Sequence, residues 1–294
     1  MNALAHLAPE AARLLQADID ARMAFIKQLP FVAYPAGVKA LEWLSYLRRF
    51  EYGRDRPRNL HIVGVGGIGK SRLLSHYASQ HGPMPRGDDG RRPRPVLLVE
   101  APENGELKQL SDNFLAACLA GMTPRRRGSY VGRIEPILQI TGVQQVLIDE
   151  AGNLLLAGKS RQQQCLAFIK RITNLGITVA IATTENMKMV LAADEQLYSR
   201  FKQIGLPKWQ ESNELRGFLA SVEVWIPLPR PSHLDSLEMI RWLVAQQCLR
   251  TGSMLEVIRD AAHIAFREDL PNLSVPLLQR ALEATGPPDG RREP

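Results

Sequence analysis

The sequence predicts an α/β fold, a parallel β-sheet with flanking helices, followed by a small C-terminal α-helical lid. Three observations support this prediction. A short apolar strand runs directly into a glycine-rich loop and then into a helical pattern across residues 59–78. Apolar, β-branched runs then alternate with helical patterns to about residue 230, as in sheets whose parallel strands are joined by helices. From Ser236 onward the apolar spacing is helical throughout.

The glycine-rich loop is the most specific motif in the chain. Residues 64–71 match G-x-x-x-x-G-K-[ST], the phosphate loop of nucleotide triphosphatases. A strand, loop and helix in this order direct backbone N–H groups and the positive end of a helix at one point, where a polyphosphate fits. Lys70 is expected to reach the β- and γ-phosphates, and the Ser71 hydroxyl to ligate Mg²⁺. The residues predicted to line a bound ATP or GTP here are Gly64, Gly66, Gly67, Ile68, Gly69, Lys70, Ser71 and Arg72.

A second motif ends a buried strand in two carboxylates. Residues 144–150 form an apolar run without alternation that ends in Asp149 and Glu150, as expected for a strand covered on both faces. Asp149 is predicted to hold the Mg²⁺ shell, and Glu150 to orient and deprotonate the attacking water. Two adjacent acids favour hydrolysis over transfer to an acceptor, so the sequence predicts an ATPase.

The remaining elements define a domain organisation. A helix is predicted over residues 9–29 and a second apolar stripe over 38–50, with strands at 59–63, 95–100 and 177–182 besides the Asp-Glu strand. Further helices are predicted at 72–78, 110–119, 134–140, 165–175, 237–247, 254–266 and 275–284. We therefore expect a helical lead-in over residues 1–58, an ATPase core over 59–230, a helical lid over 231–284 and a disordered tail over 285–294.

Two further polar positions are candidates for the site. The strand at 177–182 leads into Thr183 and Thr184, whose hydroxyls would lie beside the Asp-Glu strand if the two strands are neighbours. Capping of a helix is the better explanation of such residues when they are taken alone. Arg200 follows about fifteen residues later and could act as an arginine finger on a neighbouring subunit's nucleotide, although most arginines are simply exposed.

Composition and charge restrict the function class. No segment reaches the roughly 18–20 apolar residues of a membrane span, and the start of the chain has no basic, apolar leader, so a cytoplasmic protein is expected. Three isolated cysteines without metal-ligand spacing predict reduced thiols. The net charge of +7 and clustered arginines in segments 54–58, 86–94 and 125–127 favour binding to DNA or RNA.

The order of motifs resembles that of AAA+ ATPases and, more narrowly, the TniB/TnsC family of bacterial transposition ATPases. The resemblance extends from about residue 19 to residue 284. Its most specific stretches are residues 22–35, 146–153, 194–209 and 219–239. The last two stretches are not general AAA+ features and therefore weigh most in the assignment.

The resemblance implies a bacterial protein that binds ATP and Mg²⁺ and assembles as a ring or filament on double-stranded DNA. It further implies recruitment of a DDE transposase and a TniQ-type adaptor, with hydrolysis driving disassembly. By position, Thr184 matches the strand-end sensor, Arg200 the finger donated to a neighbour, and Tyr34 and Pro35 the adenine region. The positions implied to contact DNA are Lys108, Thr123, Arg125, Arg126 and Arg127. One departure is Ser253, at a lid position where many AAA+ proteins carry an arginine.

Two alternatives remain at this point. A helicase loader or another DNA-remodelling AAA+ ATPase shares every core motif, but the stretch 206–209 disfavours it. A small-molecule phosphotransferase would act as a monomer without DNA and would not need Arg200 from a neighbour. The dependence of ATPase activity on protein concentration separates an AAA+ ATPase that assembles from a monomeric phosphotransferase.

Overall fold

The computed structural model describes residues 5–85, 92–119, 134–156, 158–184 and 198–284. In chain order its elements are α1 (Pro9–Ala12), α2 (Ile19–Lys27), α3 (Pro35–Phe50), β1 (Asn59–Val63), α4 (Lys70–Gln80), β2 (Val96–Glu100), α5 (Leu107–Leu119), α6 (Ile134–Ile140), β3 (Gln145–Asp149), α7 (Asn153–Leu156), α8 (Lys159–Asn174), β4 (Thr178–Thr183), β5 (Phe201–Gly205), α9 (Asn213–Glu223), α10 (Leu237–Ala245), α11 (Thr251–Arg267) and α12 (Val275–Glu283). None of the helices in these ranges combines the length and the apolarity that crossing a bilayer requires.

The chain divides into two compact units. One unit is the continuous segment Ala36–Pro207, and the other combines Met1–Pro35 with Lys208–Pro294. The predicted disordered tail, residues 285–294, lies outside the described residues.

The unit Ala36–Pro207 contains a parallel sheet with the strand order β2-β3-β4-β1-β5. This confirms the predicted α/β class with a parallel sheet. All residues of β1 and β4 are buried, which explains why most of them are apolar and why no exposed polar residues alternate with them. On one side the core includes Phe114 of α5 and Phe168 of α8, whose rings meet edge to face with centroids 5.2 Å apart. Such a pair adds about 0.5–1.5 kcal/mol beyond the area it buries.

β5 is a fifth strand that the sequence analysis did not identify. It lies at the edge of the sheet and pairs with β1, Ile62 opposite Ile204 and Val63 opposite Gly205. Only Ile204 of its five residues is buried. The strand therefore lacks the continuous apolar run that revealed the central strands, because among the described residues no further strand pairs with its outer side.

The second unit is helical in its described residues. Its core gathers α2 and the helices α9 to α12, with Leu219, Ile240 and Ile258 at most 1% exposed. The predicted single helix over residues 9–29 is wrong, because the chain forms α1 and α2 with a break between them. Asp18 caps α2, where its Oδ1 accepts a hydrogen bond from Ala21 N at 2.7 Å. This cap starts a new helix after the break.

Residues far apart in sequence hold the helical unit together. Arg22 of α2 lies over the Phe266 ring of α11, with its guanidinium carbon 4.4 Å from the ring centroid. Arg259 Nε donates to Ile26 O at 3.2 Å. The helices predicted at 237–247, 254–266 and 275–284 are present as α10, α11 and α12, whereas α9 was not predicted. The segment that precedes the α/β unit is therefore packed into the same core as the C-terminal helices.

Candidate nucleotide-binding site

The phosphate loop connects the end of β1 to the start of α4. Gly67 and Gly69 have φ values of +74° and +100°, which side chains other than glycine rarely adopt. Gly69 is the residue immediately before α4, so the loop delivers the chain directly to the N-terminus of that helix. Gly66 and Gly67 are exposed, whereas Ile68 is 2% exposed and anchors the loop in the core. The backbone N–H groups of the loop and the helix dipole therefore converge on one exposed position.

Lys70 is held inside this loop. Lys70 is only 6% exposed. Its Nζ donates hydrogen bonds to Gly64 O at 2.8 Å and to Val65 O at 3.1 Å. Burial lowers the pKa of the Lys70 ammonium, and the nearby charges of Glu150 and Asp149 oppose that effect. The predicted lysine and the two predicted carboxylates are thus close enough to interact electrostatically.

The two carboxylates occupy the end of β3 in different backbone states. Asp149 is the last strand residue, and its Oδ1 accepts a hydrogen bond from Glu150 N at 2.9 Å. Glu150 has a φ of +48°, the left-handed region that costs a non-glycine residue roughly 1–2 kcal/mol. Ala151 N then donates to Ala182 O at 3.0 Å, which ties this turn to β4. The strained backbone fixes the direction in which the exposed Glu150 carboxylate leaves the sheet.

β4 lies between β1 and β3, so its end adjoins both motifs. Thr183 is 1% exposed, and its carbonyl accepts a hydrogen bond from Gly64 N at 3.2 Å. Thr184 follows the strand and is exposed. The phosphate loop, the acidic pair and Thr184 therefore lie at the same carboxyl edge of the sheet, as the sequence analysis required.

This edge has the donor set for a nucleotide triphosphate with a divalent cation. The Ser71 hydroxyl, exposed in the first turn of α4, and the Asp149 carboxylate are hard oxygen ligands of the kind Mg²⁺ prefers. Arg72 is exposed beside Ser71. In the described ranges no three His, Cys, Asp or Glu side chains form a metal-binding cluster.

Other predicted residues lie elsewhere. Arg200 precedes β5, and its carbonyl accepts from Asn59 N at 2.8 Å, which is the amino edge of the sheet. Lys108 is exposed in the first turn of α5. Tyr34 belongs to the helical unit, where its ring packs on Trp209 with centroids 5.4 Å apart. Pro35 is exposed at the start of α3. Four predicted DNA contacts, Thr123, Arg125, Arg126 and Arg127, lie outside the described residues.

The Tyr34 hydroxyl is a buried donor without a hydrogen-bond partner within the described chain. Burial raises the pKa of this phenol to about 12, so it remains protonated at neutral pH. Its predicted place near an adenine stays a prediction.

Sequence reasoning missed His61, which lies three residues before the phosphate loop. The imidazole is 3% exposed, and its Nε2 is 2.6 Å from Thr183 Oγ1. The available signal was a polar residue between Leu60 and Ile62 in the strand that enters the loop.

Comparison with known proteins supports this description. A family model described as "Bacterial TniB protein" matches residues 22–211. No curated protein matches the sequence.

Solved structures show the same fold at low identity. The chain is similar to the Aeropyrum pernix ORC2 protein in ADPNP–ADP complexes, with 16% identity, a TM-score of 0.60, and coverage of 83% of this chain and 66% of that one. It is similar to the Aeropyrum pernix ORC1 protein in complex with DNA, with 14% identity, a TM-score of 0.58, and 88% and 68% coverage. It is also similar to the Thermotoga maritima RuvB Holliday junction branch migration motor, with 12% identity, a TM-score of 0.52, and 88% and 72% coverage.

The chain spans about two thirds of the length of the two ORC proteins. At these identities the likeness concerns the fold alone, which is that of AAA+ P-loop ATPases. The family match covers well over half of the chain and includes the phosphate loop and the Asp-Glu strand. This protein is therefore a member of the TniB family, built on an AAA+ fold.

Proposed function

We propose that this protein is an ATP-hydrolysing, DNA-binding regulator of DNA transposition that assembles on double-stranded DNA and marks a target site. In this proposal it recruits a DDE transposase and a TniQ-type adaptor, and hydrolysis disassembles it. The observation that supports it most is the TniB family match over a complete phosphate loop and acidic strand end. The DNA complex named for the similar ORC1 protein agrees with a DNA-associated role.

The carboxyl edge supplies the groups that ATP hydrolysis needs. Lys70 and the loop N–H groups bind the phosphates, while Ser71 and Asp149 hold Mg²⁺. The bound cation supplies charge neutralisation at the phosphate oxygens. Glu150 orients the attacking water and accepts its proton, and Thr184 donates a hydrogen bond toward the reacting phosphate. We expect Glu150→Gln to retain ATP binding and lose hydrolysis.

Arg200 supports a shared site between subunits. Its backbone lies beside Asn59, whereas the phosphate loop begins after the opposite end of this five-residue strand. At about 3.3 Å per residue the two positions are roughly 16 Å apart, farther than an arginine side chain reaches. Its guanidinium instead donates to Oδ1 of Asn174, the last residue of α8, at 3.4 Å. If Arg200 contacts a nucleotide, that nucleotide must therefore be bound to a neighbouring subunit.

The amino edge also offers a surface for a second copy. Four aromatic residues in the described ranges are more than a third exposed, namely Tyr46, Phe50, Tyr52 and Tyr198. Gly53 N donates to Gly176 O at 2.8 Å, which fixes the turn that carries Tyr52 at the amino end of β4. Tyr198 is two residues before Arg200. Exposed aromatic side chains are frequent in protein interfaces, and Tyr198 is close in sequence to the residue that a neighbour would need.

DNA contact is assigned to Lys108 and to Thr123, Arg125, Arg126 and Arg127. Lys108 is exposed on α5, which follows the carboxyl end of β2. Contacts of lysine and arginine with phosphates position a protein without reading sequence. We expect binding that is insensitive to DNA sequence and steeply dependent on salt.

Two experiments test the proposal. Negative-stain imaging with duplex DNA and a slowly hydrolysed ATP analogue should show rings or filaments only when both are present, and Lys70→Ala should abolish them. Single particles in all conditions would contradict assembly and favour a small-molecule phosphotransferase.

The shared site is tested by mixing subunits. Arg200→Ala and Glu150→Gln should each lose ATPase activity while binding nucleotide, and a mixture of the two should regain part of it. The regain arises because one interface in the mixture combines an intact Arg200 with an intact Glu150. Arg171→Ala is the matched control, since this arginine is also exposed near the end of α8 and is expected to keep activity. No regain in the mixture would contradict the shared site.

A further inference from the structure

His61 is a buried polar side chain in the middle of an apolar strand. Its neighbours Leu60 and Ile62 are both 0% exposed, and His61 itself is 3% exposed. A buried polar group without a hydrogen bond costs several kcal/mol, so such a residue requires a partner. Thr183, in the neighbouring strand β4, supplies one at 2.6 Å between His61 Nε2 and Thr183 Oγ1.

Thr183 connects this histidine to two parts of the site. Its Oγ1 lies 3.1 Å from Thr184 O, and its carbonyl accepts from Gly64 N at 3.2 Å. A threonine hydroxyl has one proton, so both Oγ1 contacts are hydrogen bonds only if His61 Nε2 carries a proton and donates. The resulting chain runs from His61 Nε2–H to Thr183 Oγ1–H and on to the Thr184 carbonyl.

We propose that His61 is a positioning residue for nucleotide hydrolysis, which acts through Thr183 to fix Thr184 and the first residue of the phosphate loop. This role rests on the proposed ATPase function. His61 lies in the strand before the loop and makes its contact on the side of β4, so it acts on the site through Thr183. A change in its hydrogen bond alters the position of Thr184 and Gly64 together.

Four variants distinguish positioning from simple stability. His61→Leu removes the donor, and Thr183→Val removes the hydroxyl with little change of shape. His61→Gln retains an N–H donor at the end of a side chain of similar length. Thr178→Val is the matched control, because Thr178 is 0% exposed in the same strand and its hydroxyl donates to Gln144 O at 3.3 Å, at the opposite end of the strand.

We expect His61→Leu and Thr183→Val to lower kcat for ATP hydrolysis by about tenfold or more, as is usual for groups that orient catalytic residues. The Kd of a fluorescent ATP analogue should change by less than about threefold, since the phosphate-binding groups remain. His61→Gln should recover most of kcat, and Thr178→Val should keep it. The double variant His61→Leu/Thr183→Val should be no slower than the slower single variant, because both act through one chain.

Amide hydrogen exchange in nucleotide-free protein gives a second, independent readout. Exchange of the Gly64 amide should become faster in His61→Leu and Thr183→Val and remain unchanged in Thr178→Val. If His61→Leu fails to fold, Thr183→Val decides alone. Unchanged kcat and exchange in the folded variants, or an equal loss in Thr178→Val, would overturn the role of His61. A wild-type protein without ATPase activity would refute the proposed function instead, and the exchange measurement would still decide whether His61 positions Gly64.

Discussion

Gly64 is a position in the phosphate loop where a methyl group has little room. A Cβ built there would lie 2.8 Å from Ile68 Cγ2, 2.9 Å from Leu206 O and 3.3 Å from Leu206 Cβ. The backbone atoms involved cannot move freely, because Leu206 N donates to Val63 O at 2.7 Å and Gly64 N to Thr183 O at 3.2 Å. Relief of the clash therefore requires a hydrogen bond of the sheet edge to lengthen or break.

Gly64→Ala should consequently destabilise the nucleotide-free protein. Overpacking of this kind costs about 1–3 kcal/mol, and the fixed neighbours favour the upper part of that range. At about 2–4 °C per kcal/mol for a protein of this size, Tm should fall by roughly 5–10 °C. The affinity for a fluorescent ATP analogue should fall at least tenfold, because the displaced loop no longer directs its N–H groups at the phosphates.

Gly66→Ala is the matched control, since a Cβ at Gly66 has no atom within 4 Å. It should melt within about 1–2 °C of wild type and could gain a few tenths of a kcal/mol from the less flexible unfolded chain. Melting curves by circular dichroism and titration with the analogue measure both quantities. A Gly64→Ala protein that melts like wild type would refute the steric reasoning, as would an equal fall of Tm in Gly66→Ala.

Three other predictions follow from the electrostatics. Glu51→Gln should cost about 2–3 kcal/mol in urea unfolding, because this 1% exposed carboxylate accepts three hydrogen bonds from Arg58. Burial alone would raise the pKa of Glu51, but the bonds from Arg58 outweigh it and leave the pKa lowered, so this stability should be present above about pH 4.5 and lost as the pH falls further. In the folded protein at pH 8, Cys118 and Cys165 should react with a thiol reagent at least about tenfold more slowly than in protein unfolded by urea, since burial raises the pKa of each thiol to about 11. The contribution of these protonated thiols to the free energy of unfolding should be complete below pH 9.0 and lost as the pH rises through about 11. Lys108→Ala should reduce the slope of log K against log salt for duplex DNA by about 0.9, and an unchanged slope would remove this residue from the DNA contacts.

The sequence was sufficient where a local pattern determines the structure. The loop 64–71 needs only its own glycines, lysine and serine to specify its conformation, and the buried strands need only continuous apolar runs. The sequence predicted Thr184 beside the Asp-Glu strand on the condition that the two strands are neighbours, and β3 and β4 meet that condition.

Features that depend on distant partners were not predictable. β5 has one buried residue among five, so only its pairing with β1 identifies it as a strand. The left-handed backbone of Glu150 has no sequence signature, because glutamate rarely adopts it. The pairing of His61 with Thr183 joins residues 122 positions apart. Each of these three features depends on how segments distant in sequence meet in the sheet, so no single segment encodes it.

The composition of the helical unit has a consequence for biosynthesis. Ile26 of α2 is 1% exposed in a core whose other buried members, apart from Leu29, begin at Trp209. The α/β unit Ala36–Pro207 is made in one continuous stretch, so it can fold as soon as it leaves the ribosome. α2 must wait for the remainder of its own unit, and at about 5–20 residues per second that wait is on the order of ten to fifty seconds. During this time its apolar face has no native partner, and in this interval the nascent chain is most exposed to proteases and most dependent on chaperones.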